Sequence, residues 1–130
     1  MPKFPLKRVM YIEDEPDIRS IVQIALEKIG GLTVTTCGSG RETIGLALDF
    51  NPDLILLDVM MPDMDGFAVL QAIRSLPQLV NVPVVFVTAK TQSHEIDQYK
   101  EEGISDIITK PFDPVALPKI INDIWEKIYE

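Results

Sequence analysis

Five short runs of apolar and β-branched residues occur along the chain, and polar, glycine or proline residues follow each one. These runs predict β-strands at about 8–13, 32–36, 54–58, 83–88 and 105–109. The third run, LILLD, is apolar at every position before its terminal acid. Because such a run has no polar face to turn toward water, we expect this strand in the middle of a parallel sheet covered on both sides.

Helical periodicity fills the first two segments between the strands. Pro16 stands where a helix can begin, and Gly30 and Gly31 supply the expected stop. Between them, apolar residues recur at three- and four-residue spacing: Ile18, Ile21, Val22, Ala25 and Ile29. Ser39 stands three residues before Glu42, as in a capping box, and predicts the start of a second helix.

The three remaining helices differ in the strength of their patterns. A third helix is predicted from about Asp65 to Leu76. The fourth, between Thr91 and Gly103, has only Ile96 and Tyr99 as large apolar anchors, so we expect it to be the least firmly packed. The fifth has apolar residues at 4, 3, 4 spacing: Leu117, Ile121, Ile124 and Ile128. Because Pro118 lacks a backbone N–H, this helix should start late or bend.

Five strands that alternate with five helices predict one doubly wound α/β domain over residues 1–130, a flavodoxin-like (βα)5 fold with strand order 2-1-3-4-5. In such a parallel sheet, ligands bind beyond the carboxyl ends of the strands, where the winding direction reverses. The ends of strands one, three, four and five carry Glu13, Asp14, Asp58, Thr88 and Lys110. We therefore expect these side chains to converge on one edge of the sheet.

The residue types at this edge suit phosphoryl chemistry. Three carboxylates placed together repel one another unless a cation lies between them. Mg²⁺ is the natural cation, because it takes oxygen ligands and commonly bridges carboxylates to a phosphate. The Lys110 ammonium can neutralise phosphate oxygens, and the Thr88 hydroxyl can donate a hydrogen bond.

Composition excludes several classes of function. The chain has 12 Lys and Arg against 20 Asp and Glu, a formal charge of -8, so direct binding to nucleic acid is not expected. No apolar stretch approaches the roughly 20 residues that cross a bilayer, and the N-terminus lacks a secretory signal, so we expect a soluble, cytoplasmic protein without membrane contact. The lone Cys37 excludes an internal disulfide and suits a buried thiol.

Four fragments, in order along the chain, resemble the receiver domains of two-component response regulators, in a single-domain form like the chemotaxis regulators. They are IEDE, LLDVMMPDMDG, VFVTAK and KPF. Each stands at the end of a predicted strand, and the resemblance covers essentially the whole chain. Four such fragments in order are a far more specific signal than any one alone.

The resemblance implies a phosphorelay function. A histidine kinase or histidine phosphotransfer protein would give its phosphoryl group to Asp58. Mg²⁺ (or Mn²⁺) would bind through Asp14, Asp58 and the backbone carbonyl of Met60, with Glu13 acting through water. Thr88 and Lys110 would contact the phosphoryl group. Such a protein is a signalling domain that catalyses only its own aspartyl phosphorylation and dephosphorylation.

The resemblance also implies how the signal leaves the domain. The face of helix four, strand five and helix five would bind a downstream protein, with the chain a monomer or weak dimer. Similar domains have a cis peptide bond between the corresponding lysine and proline, so the resemblance implies a cis bond between Lys110 and Pro111. One position departs from the family pattern: most relatives carry Tyr or Phe three residues before the lysine, and this chain has Ile107. The usual aromatic switch is therefore absent, and we expect coupling through the loop after Thr88 and through helix four.

Two alternatives come from other classes of protein. A degenerate receiver could act as a constitutive interaction module, which Ile107 alone supports. A magnesium-dependent phosphatase with an aspartyl nucleophile would need a second acid two residues after Asp58, where this chain has Met60. The chain is also too short for the cap domain of such phosphatases.

Several conspicuous residues have structural interpretations. Asp63 and Asp65 are predicted to cap a helix, and Gly66 to meet a steric need beside it. His94 is expected on the solvated side of helix four, with no role in phosphotransfer. The aromatic residues near the C-terminus, Trp125 and Tyr129, belong either to the core or to an interface.

Overall fold

The computed structural model describes residues 4–59, 61, 65–89 and 93–130, with the backbone alone for residues 93–96. Within these residues a parallel sheet of five strands has the order β2-β1-β3-β4-β5. The strands are β1 (Arg8–Ile12), β2 (Thr33–Cys37), β3 (Leu54–Asp58), β4 (Val84–Thr88) and β5 (Asp106–Thr109). The predicted fold class and strand order are confirmed, with strand ends displaced by about one residue.

Five helices cover the two faces of the sheet in the described part of the chain. They are α1 (Pro16–Ile24), α2 (Gly40–Phe50), α3 (Gly66–Arg74), α4 (Ser93–Glu101) and α5 (Leu117–Ile128). Apolar side chains of α1 and α5 pack on one face, and those of α2, α3 and α4 on the other. None of the helices in the described residues is long and apolar enough to cross a membrane.

The central position of β3 follows from its sequence. All five of its residues are buried, and β1 and β4 pair with it on either side. An apolar run without alternation can be accommodated only where helices cover both faces of the sheet. The expectation for LILLD is confirmed, and Asp58 is thereby carried to the carboxyl edge on a rigid element.

Two of the predicted helix starts rest on side-chain caps. The Ser39 hydroxyl accepts a hydrogen bond from the Glu42 N–H at 3.4 Å. The Asp65 carboxylate accepts one from the Phe67 N–H at 3.0 Å and a longer one from Ala68. Both satisfy backbone donors that lack a partner in the first helical turn. These cap predictions are confirmed, whereas Asp63 lies outside the described residues.

The end of the first helix and the start of the last both involve local backbone adjustments. After α1, residues Ala25–Ile29 form a wider π-helical turn, closed by Gly30 N–H donating to Ala25 O at 3.2 Å. The apolar periodicity of the sequence did not predict this turn. A single π-helical turn shifts the spacing of apolar residues by only one position, which is too small a change to distinguish from an ordinary α-helix. Helix α5 begins at Leu117, which places Pro118 in the first turn, where no N–H is needed. The predicted late start is confirmed.

Of the two aromatic residues near the C-terminus, Trp125 belongs to the core and Tyr129 packs against it. Trp125 is buried, and its indole N–H donates to Phe4 O at 3.0 Å. The Tyr129 ring packs edge-on against Trp125, with 4.6 Å between centroids. Cys37 is also buried, as predicted, and its thiol lies 2.9 Å from Ser39 O.

Replacement of Gly66 by Ala should destabilise the fold. A Cβ at this position would lie 2.7 Å from Val59 Cγ1 and 3.2 Å from Val59 Cβ, and a β-branched neighbour has little freedom to move away. We expect the free energy of unfolding to fall by about 1–3 kcal/mol. Urea unfolding followed by circular dichroism measures it.

Gly45 provides the matched control for that substitution. It lies inside α2, and a Cβ there would have no neighbour within 4 Å. Gly45→Ala should therefore stabilise the protein by about 1 kcal/mol through helix propensity. Equal effects of the two substitutions would contradict the steric role of Gly66.

Candidate functional site

The carboxyl edge of the sheet gathers the charged residues that follow the strands. Glu13 comes directly after β1, Asp58 ends β3, and Lys110 comes directly after β5. Parallel pairing in register carries these strand ends to the same level, since β3 and β4 align Asp58 with Val87 and β4 and β5 align Thr88 with Thr109. The edge is therefore built by the sheet itself.

Lys110 joins two of the acids. Its ammonium lies 2.8 Å from Asp58 Oδ2 and 3.1 Å from Glu13 Oε1. The side chain of Lys110 is 22% exposed, while those of both acids are 2% exposed. Because buried carboxylates need a partner of opposite charge, this single cation compensates part of the charge of both.

Asp14 completes a group of three acids at this edge. One carboxylate oxygen from each of Glu13, Asp14 and Asp58 lies within 4.8 Å of the others. Asp14 is exposed and the other two are buried. Hard carboxylate oxygens at this spacing, open to water on one side, fit the ligand preferences of Mg²⁺. Met60, the expected source of a backbone ligand, lies outside the described residues.

Thr88 has a buried side chain at the end of β4. It follows Val87, the register partner of Asp58, and Lys110 N–H donates to its carbonyl at 2.9 Å. Five predicted site residues thus occupy one edge of the sheet, and the acids and Lys110 are in direct proximity. The Lys110–Pro111 peptide bond is cis.

The sequence interpretation missed Tyr11, which lies beneath this site. Its hydroxyl donates to Glu13 Oε1 at 3.1 Å, and the residue is fully buried. Burial, the charge of Glu13 and the hydrogen bond to it, and the charge of Asp58 raise the pKa of Tyr11 far above its ordinary value. The two-residue spacing was the available signal, because residues two apart on a strand share a face.

Arg19 was also missed, and it supports the loop that carries the acids. Its guanidinium donates to Glu13 O at 2.8 Å and less closely to Asp14 O. A Cβ on Gly38 would come within 2.6 Å of that guanidinium. The absence of a side chain at Gly38 therefore leaves space for the Arg19 guanidinium, which stabilises the loop between β1 and α1 through these hydrogen bonds.

An apolar cavity of about 400 Å³ adjoins Lys110 on the side of α1. It is lined by Ile18, Ile21, Val22, Ala89, Lys110, Pro111, Phe112 and Pro114. The site is therefore bordered by apolar surface as well as by acids.

Three aromatic rings connect α3, β4 and α4. The Phe67, Phe86 and Tyr99 rings lie 5.4–5.5 Å apart between centroids. Ile107, the register partner of Phe86, packs against the same side of the core. Strand β4 therefore packs against α4 through the contact of Phe86 with Tyr99. Phe86 stands two residues before Thr88, on the same face of the strand.

Comparison with known proteins identifies this arrangement. Residues 9–122 match the family model of the response regulator receiver domain. The chain belongs to the response regulator receiver family. The probable C4-dicarboxylate response regulator DctR of Halalkalibacterium halodurans is 36% identical over 86% of this chain and 48% of its own length. The response regulator SaeR of Staphylococcus aureus is 34% identical over 95% of this chain and 52% of its own length.

Solved receiver structures match the fold. The chemotaxis response regulator CheY4 of Vibrio cholerae has a TM-score of 0.83 and 30% identity, covering 92% of this chain and 98% of that one. This receiver spans about half the length of the response regulators DctR and SaeR. Phosphorylation-dependent signalling is the general function of the family.

Proposed function

We propose that this receiver accepts a phosphoryl group on Asp58 from a histidine kinase or histidine phosphotransfer protein, with Mg²⁺, and changes its binding to a partner protein. The observation that carries the proposal is the carboxylate of Asp58 at the end of the central strand. It lies 2.8 Å from the Lys110 ammonium, within a group of three acids.

The proposed transfer is a single displacement at phosphorus. A carboxylate oxygen of Asp58 forms the new P–O bond, the P–N bond to the donor histidine breaks, and the departing imidazole nitrogen takes a proton from solvent. Lys110 offsets charge on the phosphoryl oxygens, and the Thr88 hydroxyl donates to one of them. The apolar cavity beside Lys110 offers the donor protein a surface next to the acceptor.

The acids would hold the divalent cation that the family implies. Asp14 and Asp58 would supply ligands, Glu13 would act through water, and the backbone carbonyl of Met60 is a further ligand implied by the resemblance. A bound Mg²⁺ would neutralise charge as the phosphoryl group is transferred. Mn²⁺ also takes oxygen ligands, so we expect it to substitute.

The output surface in this proposal is the face of α4, β5 and α5. With Ile107 in place of an aromatic residue, the contact of Tyr99 with Phe86 offers a route from the end of β4 to α4. We propose a monomer or weak dimer with a protein target, and no direct contact with nucleic acid, because the charge of -8 repels a polyanion.

Intact-mass measurement tests the proposal. The protein is incubated with acetyl phosphate and Mg²⁺, and one added phosphoryl group is expected, because the site positions an aspartyl nucleophile beside its charge partners. Excess EDTA should prevent the addition, and hydroxylamine should remove the adduct as it does other acyl phosphates. Absence of an adduct, under conditions that label another receiver, would favour the constitutive interaction module.

A further inference from the structure

Tyr11 is a buried polar residue in the middle of an apolar layer. It lies on β1, opposite Leu56 of β3, with none of its surface exposed. The side chains of Val22 and Leu117 belong to the same core cluster. A buried hydroxyl needs a hydrogen-bond partner, and this one has Glu13 Oε1 at 3.1 Å. The phenol therefore reaches from the core to the edge of the site.

Glu13 receives two further hydrogen bonds. Lys110 donates to the same Oε1 atom at 3.1 Å, and the Glu15 N–H donates to Oε2 at 3.2 Å. Lys110 is shared, since it also donates to Asp58 at 2.8 Å. In the proposed reaction Lys110 contacts the phosphoryl group on Asp58. Of the three hydrogen bonds that Glu13 accepts, the one from Lys110 should therefore weaken on phosphorylation.

The two donors to Oε1 differ in rigidity. Lys110 has a flexible four-carbon stem and is partly exposed, whereas the Tyr11 ring is fixed by the packing around it. The Tyr11 hydroxyl is therefore the donor that can keep the same position throughout a phosphorylation cycle.

We infer that Tyr11 is a positioning residue that holds the Glu13 carboxylate in place for the divalent cation while Lys110 engages the phosphoryl group. The inference rests on the proposed function, because it assumes that Glu13 takes part in metal binding. Groups that orient a metal-binding side chain typically change metal affinity by 10–100-fold when they are removed. Glu13 would reach the cation through water and keeps two other donors, so we expect an effect at the lower end of that range.

Tyr11→Phe is the direct test, because it removes the hydroxyl and keeps the ring. The Mg²⁺ dissociation constant, measured by isothermal titration calorimetry without phosphodonor, should rise about 10-fold. The same substitution in a Glu13→Gln background should have little further effect, because the carboxylate that Tyr11 positions is then gone. Ile108→Val is the matched control. It removes one methylene group from the same core cluster and no polar atom, so Mg²⁺ affinity should be unchanged.

The outcomes separate the inference from the proposed function. No Mg²⁺ binding by the wild-type protein would overturn the metal-dependent function itself. Wild-type affinity in Tyr11→Phe, or an equal loss in the Glu13→Gln background, would overturn the role of Tyr11 and leave the function standing.

A second measurement applies if Tyr11→Phe does not fold. The chain contains three tyrosines, and ring-labelled wild-type protein gives one ¹³Cζ signal for each. Tyr99→Phe and Tyr129→Phe identify the Tyr11 signal by elimination. Mg²⁺ should shift that signal, and an unchanged Tyr11 signal at saturating Mg²⁺ would overturn the inference.

Discussion

Asp58→Asn should abolish phosphoryl labelling by acetyl phosphate. The side-chain amide of Asn is neutral, and its oxygen is a far weaker nucleophile than a carboxylate oxygen. No acyl phosphate can therefore accumulate. Asn has nearly the same shape, so the central strand and its burial should be retained. Intact mass should show unmodified protein alone under conditions that label the wild type.

Asp53→Asn is the matched control for this substitution. Asp53 stands at the opposite end of β3, where its carboxylate accepts hydrogen bonds from the N–H groups of Lys7 and Arg8 at 3.1 and 2.9 Å. The amide oxygen of Asn can accept the same bonds, and the position is remote from the carboxyl edge. Asp53→Asn should label like the wild type, and labelling of Asp58→Asn at another residue would contradict the assignment.

Lys110→Met should lower the free energy of unfolding by about 2 kcal/mol in EDTA. Removal of one member of a buried ion pair typically costs roughly 3–5 kcal/mol, and the partial exposure of Lys110 reduces that value through solvent screening. Met fills a similar volume, so the loss reports the charge left on Glu13 and Asp58. Urea unfolding with and without Mg²⁺ measures it, and Mg²⁺ should recover part of the loss because a bound cation replaces the missing charge.

Lys119→Met tests whether the effect belongs to the site. Lys119 forms an exposed ion pair with Asp123 at 2.9 Å on α5. Exposed pairs contribute little, so this substitution should leave the unfolding midpoint almost unchanged. A Lys110→Met protein as stable as the wild type would show that Lys110 does not compensate the buried acids.

The effect of Lys110→Met should also depend on pH in a defined direction. Burial alone would lower the pKa of Lys110, but the hydrogen bonds and charges of Asp58 and Glu13 outweigh it, and the pKa in the folded protein is raised. The stabilisation is therefore fully present below the pKa of an unfolded lysine, about 10.4, and is lost as the pH rises through the folded value. The difference between Lys110→Met and the wild type should be constant from pH 7 to 9 and shrink only above that range.

Local patterns predicted much of the fold because their physical causes are local. The apolar run at 54–58 can be buried only inside a covered sheet, and Ser39 and Asp65 cap helices through their own neighbours. Pro118 excludes an earlier start of α5 for the same kind of reason. The wide turn at Ala25–Ile29 was not predictable, because it depends on how the end of α1 meets β2 and α5.

Some features of the candidate site could likewise be predicted from the sequence, and others depend on tertiary packing. The acids and Lys110 could be placed from sequence, because parallel strands carry their ends to one edge of the sheet. The distances of Lys110 from two acids, the hydroxyl of Tyr11 under Glu13 and the bracing of the loop by Arg19 depend on register and side-chain packing between distant segments. The sequence by itself determined which chemical groups reach the edge. Only the tertiary structure decided which of them touch, because those contacts join residues far apart in the chain.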